Sequence, residues 1–243
     1  MKITGPLFKW FGSKWLSSKT LPPPKFPDIV EPFAGSAGYS LRHYNHKVIL
    51  YESNDYVREL WNWLVRHATQ AAILDIPINI PEGTDLRTIG LSRGQLLLLK
   101  HWQRTNNVGD CWTVSPWGNK PGQWTESTRS RVSEEFGCIE HWHIANSWNG
   151  MDAFGQQQAW PATWFIDPPY QYNYQYKSAP LNYRQLALEA ERCLGQVIVC
   201  EAVCQKTNRI PDYLPFEFWA KRITSRRKEG ENTHSRELIW HKQ

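Results

Sequence analysis

Ile29-Val30-Glu31-Pro32-Phe33-Ala34-Gly35-Ser36-Ala37-Gly38 is the stretch that decides the fold class. A short apolar run leads into a turn of small residues, and the turn opens a helix from Tyr39 to about Tyr44. Such a turn presents backbone N–H groups and lets a ligand come close to the main chain. Small-residue turns also follow strands in many α/β proteins that bind nothing there. A second apolar run, Val48-Ile49-Leu50-Tyr51, then delivers Glu52 about 20 residues after the turn, where nucleotide-binding α/β units place an acid for ribose hydroxyls. Together these segments point to a Rossmann-like α/β fold with a mostly parallel sheet.

Further along, Trp164-Phe165-Ile166 reads as the end of a buried strand and runs into Asp167-Pro168-Pro169-Tyr170. Two successive prolines fix φ and remove two backbone donors, leaving carbonyls as acceptors beside a carboxylate and a ring. Asp167 and the Pro168 carbonyl suit the two hydrogens of a planar exocyclic amine, and Tyr170 suits stacking on the attached heterocycle. A tight turn closing a strand uses the same residues. Open α/β sheets bind ligands at the carboxyl ends of their strands, which is where this tetrapeptide falls.

Between these landmarks, Val57, Leu60, Trp61 and Leu64 mark a helix over 55–66 that packs on the sheet. Pro22-Pro23-Pro24 reads as a stiff connector. From 70 to 131 the pattern breaks into a glycine- and proline-bearing stretch with one helical run around Gln95 to Leu99. Arg87, Arg93, Lys100, Arg104, Lys120, Arg129 and Arg131 alternate there with Trp102, Trp112, Trp117 and Trp124. That content suits phosphate contacts and base stacking, or a tryptophan-rich structural insert. His141 to Ala145 reads as a strand, Leu186 to Leu194 as a helix and Val197 to Cys200 as a strand. Phe216 to Ile223 and Leu238 to His241 form a closing hairpin. Lys221, Arg222, Arg226, Arg227 and Lys228 cluster between the hairpin strands, with Arg226-Arg227-Lys228 at its tip, as a phosphate-facing loop or a solvated tip.

Four segments, Lys9-Trp10-Phe11-Gly12-Ser13-Lys14, Glu31-Pro32-Phe33-Ala34-Gly35, Glu52-Ser53-Asn54 and Asp167-Pro168-Pro169-Tyr170, resemble the Dam-type adenine-specific DNA methyltransferases in motif order. The hairpin segments Lys221-Arg222-Ile223-Thr224-Ser225 and Arg236-Glu237-Leu238-Ile239-Trp240 extend the likeness. It implies a class I methyltransferase fold whose catalytic domain comprises 1–69 and 132–243, with 70–131 inserted as a target-recognition domain. S-adenosylmethionine would be held by Trp10, Lys14, Glu31, Phe33, Gly35, Glu52 and Asp167, with Lys14 towards its carboxylate, Glu52 on the ribose and Asn146-Ser147-Trp148 near its adenine. Asp167, Pro168, Pro169 and Tyr170 would hold the target base. Arg129, Arg131, Arg226, Arg227 and Lys228 would meet the backbone of double-stranded DNA. Gln171 to Lys177 would form a lid over the flipped base. The chain departs from the pattern at Ala37, where the family's turn has a second glycine; that matters only if φ is positive there.

The remaining features set bounds. A net charge of +5 over 243 residues is compatible with a polyanionic partner. Five scattered cysteines (Cys111, Cys138, Cys193, Cys200 and Cys204) lack zinc-site spacing and suit reduced thiols. His141 and His143 share a strand face but have no third ligand nearby, so no metal is expected. Without a leader-like or membrane-spanning apolar run, the sequence reads as a soluble monomer of a bacterial or phage-infected cytoplasm. The expected reaction is methyl transfer to the amino group of adenine, with amino-cytosine transfer or an inactive nucleic-acid-binding relative as the alternatives.

Overall fold

The computed structural model is described over residues 2–103, 111–147, 149–157, 159–171, 181–202, 220–227 and 234–242, with the backbone alone at 157, 220–227 and 234–238. Seven strands are found among the described residues: β1 (Asp28–Glu31), β2 (Lys47–Leu50), β3 (His143–Ile144), β4 (Ala162–Ile166), β5 (Gly195–Ala202), β6 (Ala220–Arg227) and β7 (His234–Lys242). They form one sheet in the order β3-β2-β1-β4-β5-β7-β6. Pairing from β3 through β5 is parallel, and β7 runs antiparallel to both β5 and β6. The architecture is a mostly parallel α/β sheet ending in an antiparallel hairpin, compatible with a Rossmann-like fold.

Both faces are buried, which explains why the central strands are apolar without alternation. Ile29, Val48, Leu50, Phe165 and Ile198 point into one core layer. Val30, Ile49, Trp164, Ile166 and Val199 point into the other. Helix α1 (Gly38–Arg42) follows the first turn, and α2 (Asp55–Arg66) buries Val57, Leu60, Trp61 and Leu64 against the first layer as its periodicity requires. Asn54 caps α2 by accepting from Val57 N at 3.2 Å. The second layer is covered by α6 (Asp152–Gln157) and α7 (Tyr183–Arg192) through Phe154, Leu186 and Ala190.

Residues 70–131 carry α3 (Gln70–Leu74), α4 (Arg93–Trp102) and the first part of α5 (Glu126–Glu135). Ser92 and Gln95 form a capping box at the start of α4. Ile73, Leu97, Leu98, Trp102, Trp112 and Trp124 join the same buried cluster as Leu7, Phe8 and Trp61. This corrects the expectation of a base-stacking array. Large rings gain most by leaving water, so three of the four tryptophans are core; Trp117, 62% exposed, is the exception. Of the cations, Lys100 turns inward, with Nζ 4.4 Å from the Tyr56 ring centre and 4.7 Å from that of Trp112, whereas Arg87, Arg93 and Lys120 stay at the surface.

Two strand expectations need correction. The strand expected over 141–145 is only His143–Ile144, because Phe136–Ile139 is a 3₁₀ turn whose bond from Trp142 N to Ile139 O closes the chain just before it. Arg226 and Arg227 are not at a loop tip: they lie within β6, paired with Ser235 and His234. Arg104, Trp148, Tyr172 to Lys177, Cys204 and Lys228 fall outside the described residues.

At the amino ends of the strands, Gln196 and Thr163 are buried and fasten the proline connector. Gln196 Oε1 accepts from Lys25 N at 2.9 Å and from Thr163 Oγ1 at 3.0 Å, while its Nε2 donates to Pro23 O at 3.1 Å. Gln196→Ala removes the acceptor of the buried Thr163 hydroxyl and the donor to Pro23 O, while Lys25 N keeps Thr163 Oγ1 at 3.1 Å, and is expected to destabilise the fold by about 1–3 kcal/mol. Urea unfolding checks this, and an unchanged midpoint counts against the network as a fastening.

Candidate active site

The strand order reverses at β1, which has β2 on one side and β4 on the other. Glu31 ends β1 and Asp167 follows β4 directly, so the small-residue turn and the tetrapeptide stand side by side at a topological switch point. Lys14 joins them. Its Nζ is 2.8 Å from Asp167 Oδ2 and 3.1 Å from Gly12 O, and it lies 5.0 Å from the centre of the Tyr170 ring. Lys14 is 4% exposed and Asp167 18%, so this ion pair is shielded from solvent. The resemblance places Lys14 on a cofactor carboxylate, whereas here it holds the carboxylate of the tetrapeptide.

Lys14 reaches this point because the N-terminal segment is packed onto the turn. A side chain at Gly38 would collide with the backbone of Lys14 and Trp15. Arg42 donates to Trp15 O at 2.7 Å and to Ser18 Oγ at 2.8 Å, and Ser36 Oγ meets Ser13 Oγ at 2.8 Å. The Trp10 ring lies against Gly35, where a Cβ would be 2.6 Å from Trp10 Cδ1. Gly35 is held at both polar groups. Its N–H donates to Glu52 Oε2 at 2.7 Å and its carbonyl accepts from Trp61 Nε1 at 2.8 Å. Glu52 Oε1 also accepts from Asn54 N at 2.7 Å. Phe33 is half-buried against Gly150.

Glu31 lies beneath the turn and accepts from Ser40 N at 2.9 Å and from Ser40 Oγ. Burial pushes its carboxyl up to about 8; the Ser40 bonds and Lys14 oppose the rise, and the Asp167 charge adds to it. Burial also pushes the Glu52 carboxyl up, against hydrogen bonds from Asn54 and Gly35. Ala37 has φ +46°, the left-handed region. The departure from glycine is therefore a strained one, and the alanine methyl is fully buried.

Two residues not anticipated from the sequence complete the site. Tyr183, in the first turn of α7, donates from its hydroxyl to Pro169 O at 2.6 Å. Glu201, buried near the end of β5, accepts from Gln171 N at 3.2 Å. The carboxyl edge thus carries one acid at each of four adjacent parallel strands: Glu52 after β2, Glu31 on β1, Asp167 after β4 and Glu201 on β5. Glu201 had a visible signal, an acid closing an apolar run, just as Glu31 and Asp167 do. Tyr183 had none beyond its place after the helix cap Asn182.

The expected DNA-contacting arginines sit elsewhere. Arg129 donates to Ile76 O at 3.1 Å and Glu126 at 2.6 Å; Arg131 donates to Glu135 at 2.7 Å and Pro6 O at 2.8 Å. Both side chains are partly exposed, 19% and 23%, and each keeps N–H donors beyond these internal bonds. Among the described residues no group of three or more His, Cys, Asp or Glu is placed to hold a metal, and no helix is long and apolar enough to cross a membrane.

At position 37, relief of left-handed strain (about 1–2 kcal/mol) opposes loss of a buried methyl (about 0.8 kcal/mol) and the added freedom of glycine in the unfolded chain (about 0.5–1 kcal/mol). Ala37→Gly is expected to change stability by less than about 1 kcal/mol, and Gly38→Ala to destabilise by about 2 kcal/mol or more, because backbone atoms must move. Denaturant titration of both variants checks this; a large loss in Ala37→Gly argues against the left-handed turn. A carboxyl whose pKa is raised on folding stabilises fully below the ordinary carboxylate range and loses that contribution as pH rises to about 8. Relative to Glu31→Gln, the parent is therefore expected to lose stability across that window, and parallel profiles for the two would contradict the burial of an ionisable Glu31.

No protein-family model matches the chain, and no curated protein matches it, so the functional reading stands on these residues and their geometry.

Proposed function

We propose that the chain is a Dam-type, S-adenosylmethionine-dependent DNA methyltransferase acting on the exocyclic amino group of adenine in double-stranded DNA. The observation that carries this reading is the placement of Asp167 to Tyr170 beside the 31–38 turn at the switch point of the sheet, with Lys14 between them. A mostly parallel sheet closed by an antiparallel hairpin suits the class I methyltransferase fold, and residues 70–131 are proposed as the target-recognition region.

The donor set fits the cofactor. The carboxyl groups along this edge suit a sulfonium because their ionisation can adjust to it: burial holds Glu31 and Glu52 towards the protonated form, Asp167 is paired with Lys14, and an arriving cation favours the charged carboxylates. Glu52 already accepts from the backbone N–H groups of Gly35 and Asn54, with Ser53 as a third backbone donor, and the four acceptor directions of a carboxylate leave one for a ribose hydroxyl. The contact of Trp10 with Gly35 and of the N-terminal segment with Gly38 builds a wall of main chain and indole against which an adenosine can lie. When bound, S-adenosylmethionine supplies an electrophilic methyl group.

The protein's own contribution is orientation. The lone pair of an adenine amino group is delocalised into the ring, so it is a weak nucleophile. Asp167 and the Pro168 carbonyl, accepting its two hydrogens, favour a tetrahedral nitrogen with an available lone pair, and they stand where positive charge develops. Tyr170 stacks on the extruded base and offsets part of an unstacking cost of a few kcal/mol. Asp167 or solvent takes the released proton.

Asp167→Ala is expected to abolish tritiated-methyl incorporation into DNA while cofactor affinity, read by calorimetry, changes less than about tenfold. Glu52→Gln is expected to weaken cofactor binding by about 1.5–3 kcal/mol. Single-base mapping of DNA from cells expressing the parent identifies the modified base. Normal turnover in Asp167→Ala, or unmodified adenine, counts against the proposal.

A further inference from the structure

The tetrapeptide ends in a residue whose two flanking peptide groups are both anchored. The peptide between Pro169 and Tyr170 is held by its carbonyl, which accepts from Tyr183 Oη at 2.6 Å. The peptide between Tyr170 and Gln171 is held by its N–H, which donates to Glu201 Oε2 at 3.2 Å. Fixing both peptide planes fixes φ and ψ of Tyr170, and with them the direction in which its ring leaves the main chain. Glu201 is itself immobilised, since it is fully buried and its Oε1 accepts from Ala202 N at 2.9 Å. The clamps come from two independent elements, the start of α7 and the end of β5, so neither secondary structure alone dictates the turn.

We infer that Tyr183 and Glu201 are positioning residues that aim the Tyr170 ring at the target base by clamping the peptides on either side of it. The inference rests on the proposed methyltransferase reading. Neither residue need touch the base or the cofactor. Burial and the neighbouring Glu201 push the Tyr183 hydroxyl up to about 12, so it remains a donor throughout the working range of pH.

Tyr183→Phe keeps the ring and removes the donor. Glu201→Gln keeps the size but leaves a single acceptor oxygen for two N–H groups. Each variant in the full-length chain is compared with the parent in hydrogen–deuterium exchange of the peptide spanning 166–171, in calorimetric affinity for S-adenosylmethionine, and in kcat and KM for methyl transfer to unmodified genomic DNA. Faster exchange in that peptide, a fall in kcat of about tenfold or more, and cofactor affinity within about twofold of the parent are expected, since small misplacements of a reacting pair cost rate more than binding. Unchanged exchange in both variants overturns the clamp. Faster exchange with parental kcat overturns its positioning role. Loss of cofactor affinity in step with kcat overturns it too, because general loosening then explains the defect. A parent without transfer activity refutes the methyltransferase reading, and with it the catalytic role, while the exchange comparison still decides the clamp.

Discussion

The backbone of Lys14 and Trp15 passes so close to the α-carbon of Gly38 that no side chain fits between them. Much of the site follows from that contact. It fixes the N-terminal segment against the first helix, brings Lys14 to the end of β4, and lets the Trp10 ring settle over Gly35. Arg42 reinforces it by donating to Trp15 O and Ser18 Oγ, and Ser18 Oγ donates in turn to Gly38 O. A chain of this topology thus assembles its site from segments more than 150 residues apart in sequence, as the separation of 153 between Lys14 and Asp167 shows.

Electrostatics then shape what this edge accepts. Parallel strands end side by side, and here each of four neighbours ends near an acid. Three of these acids are buried, and water does little to screen them. Lys14 offsets part of the charge, and the raised carboxyls of Glu31 and Glu52 show burial opposing ionisation. The edge is consequently responsive: a cation arriving there meets groups whose protonation can adjust to it.

The order of elements along the chain was legible to the extent that hydrophobic periodicity governs it. Strands β1, β2 and β4, helix α2 and the acids that end the strands are all local features, and the sequence expresses them locally. Misreadings arose where a residue type serves two purposes. Tryptophan and arginine in 70–131 suggested nucleic acid, yet Trp102 and Trp124 are core and Arg131 ties α5 to Pro6, because burial and internal pairing use the same groups. Arg226 and Arg227 looked like loop residues by charge alone, while backbone pairing carries β6 through them. Tyr183 was invisible because its partner is a carbonyl in another element, and carbonyls leave no mark on composition.

Among the described residues β7 is the last strand in sequence, yet it lies inside the sheet between β5 and β6. A ribosome releases the chain from its N-terminus onward. Until residues 234–242 emerge, the long apolar strand β5 presents an open edge and β6 has no neighbour to pair with. The nascent protein therefore carries an unprotected template for strand addition from the moment β5 emerges, and its central sheet is sealed only by a segment translated after every other element described here.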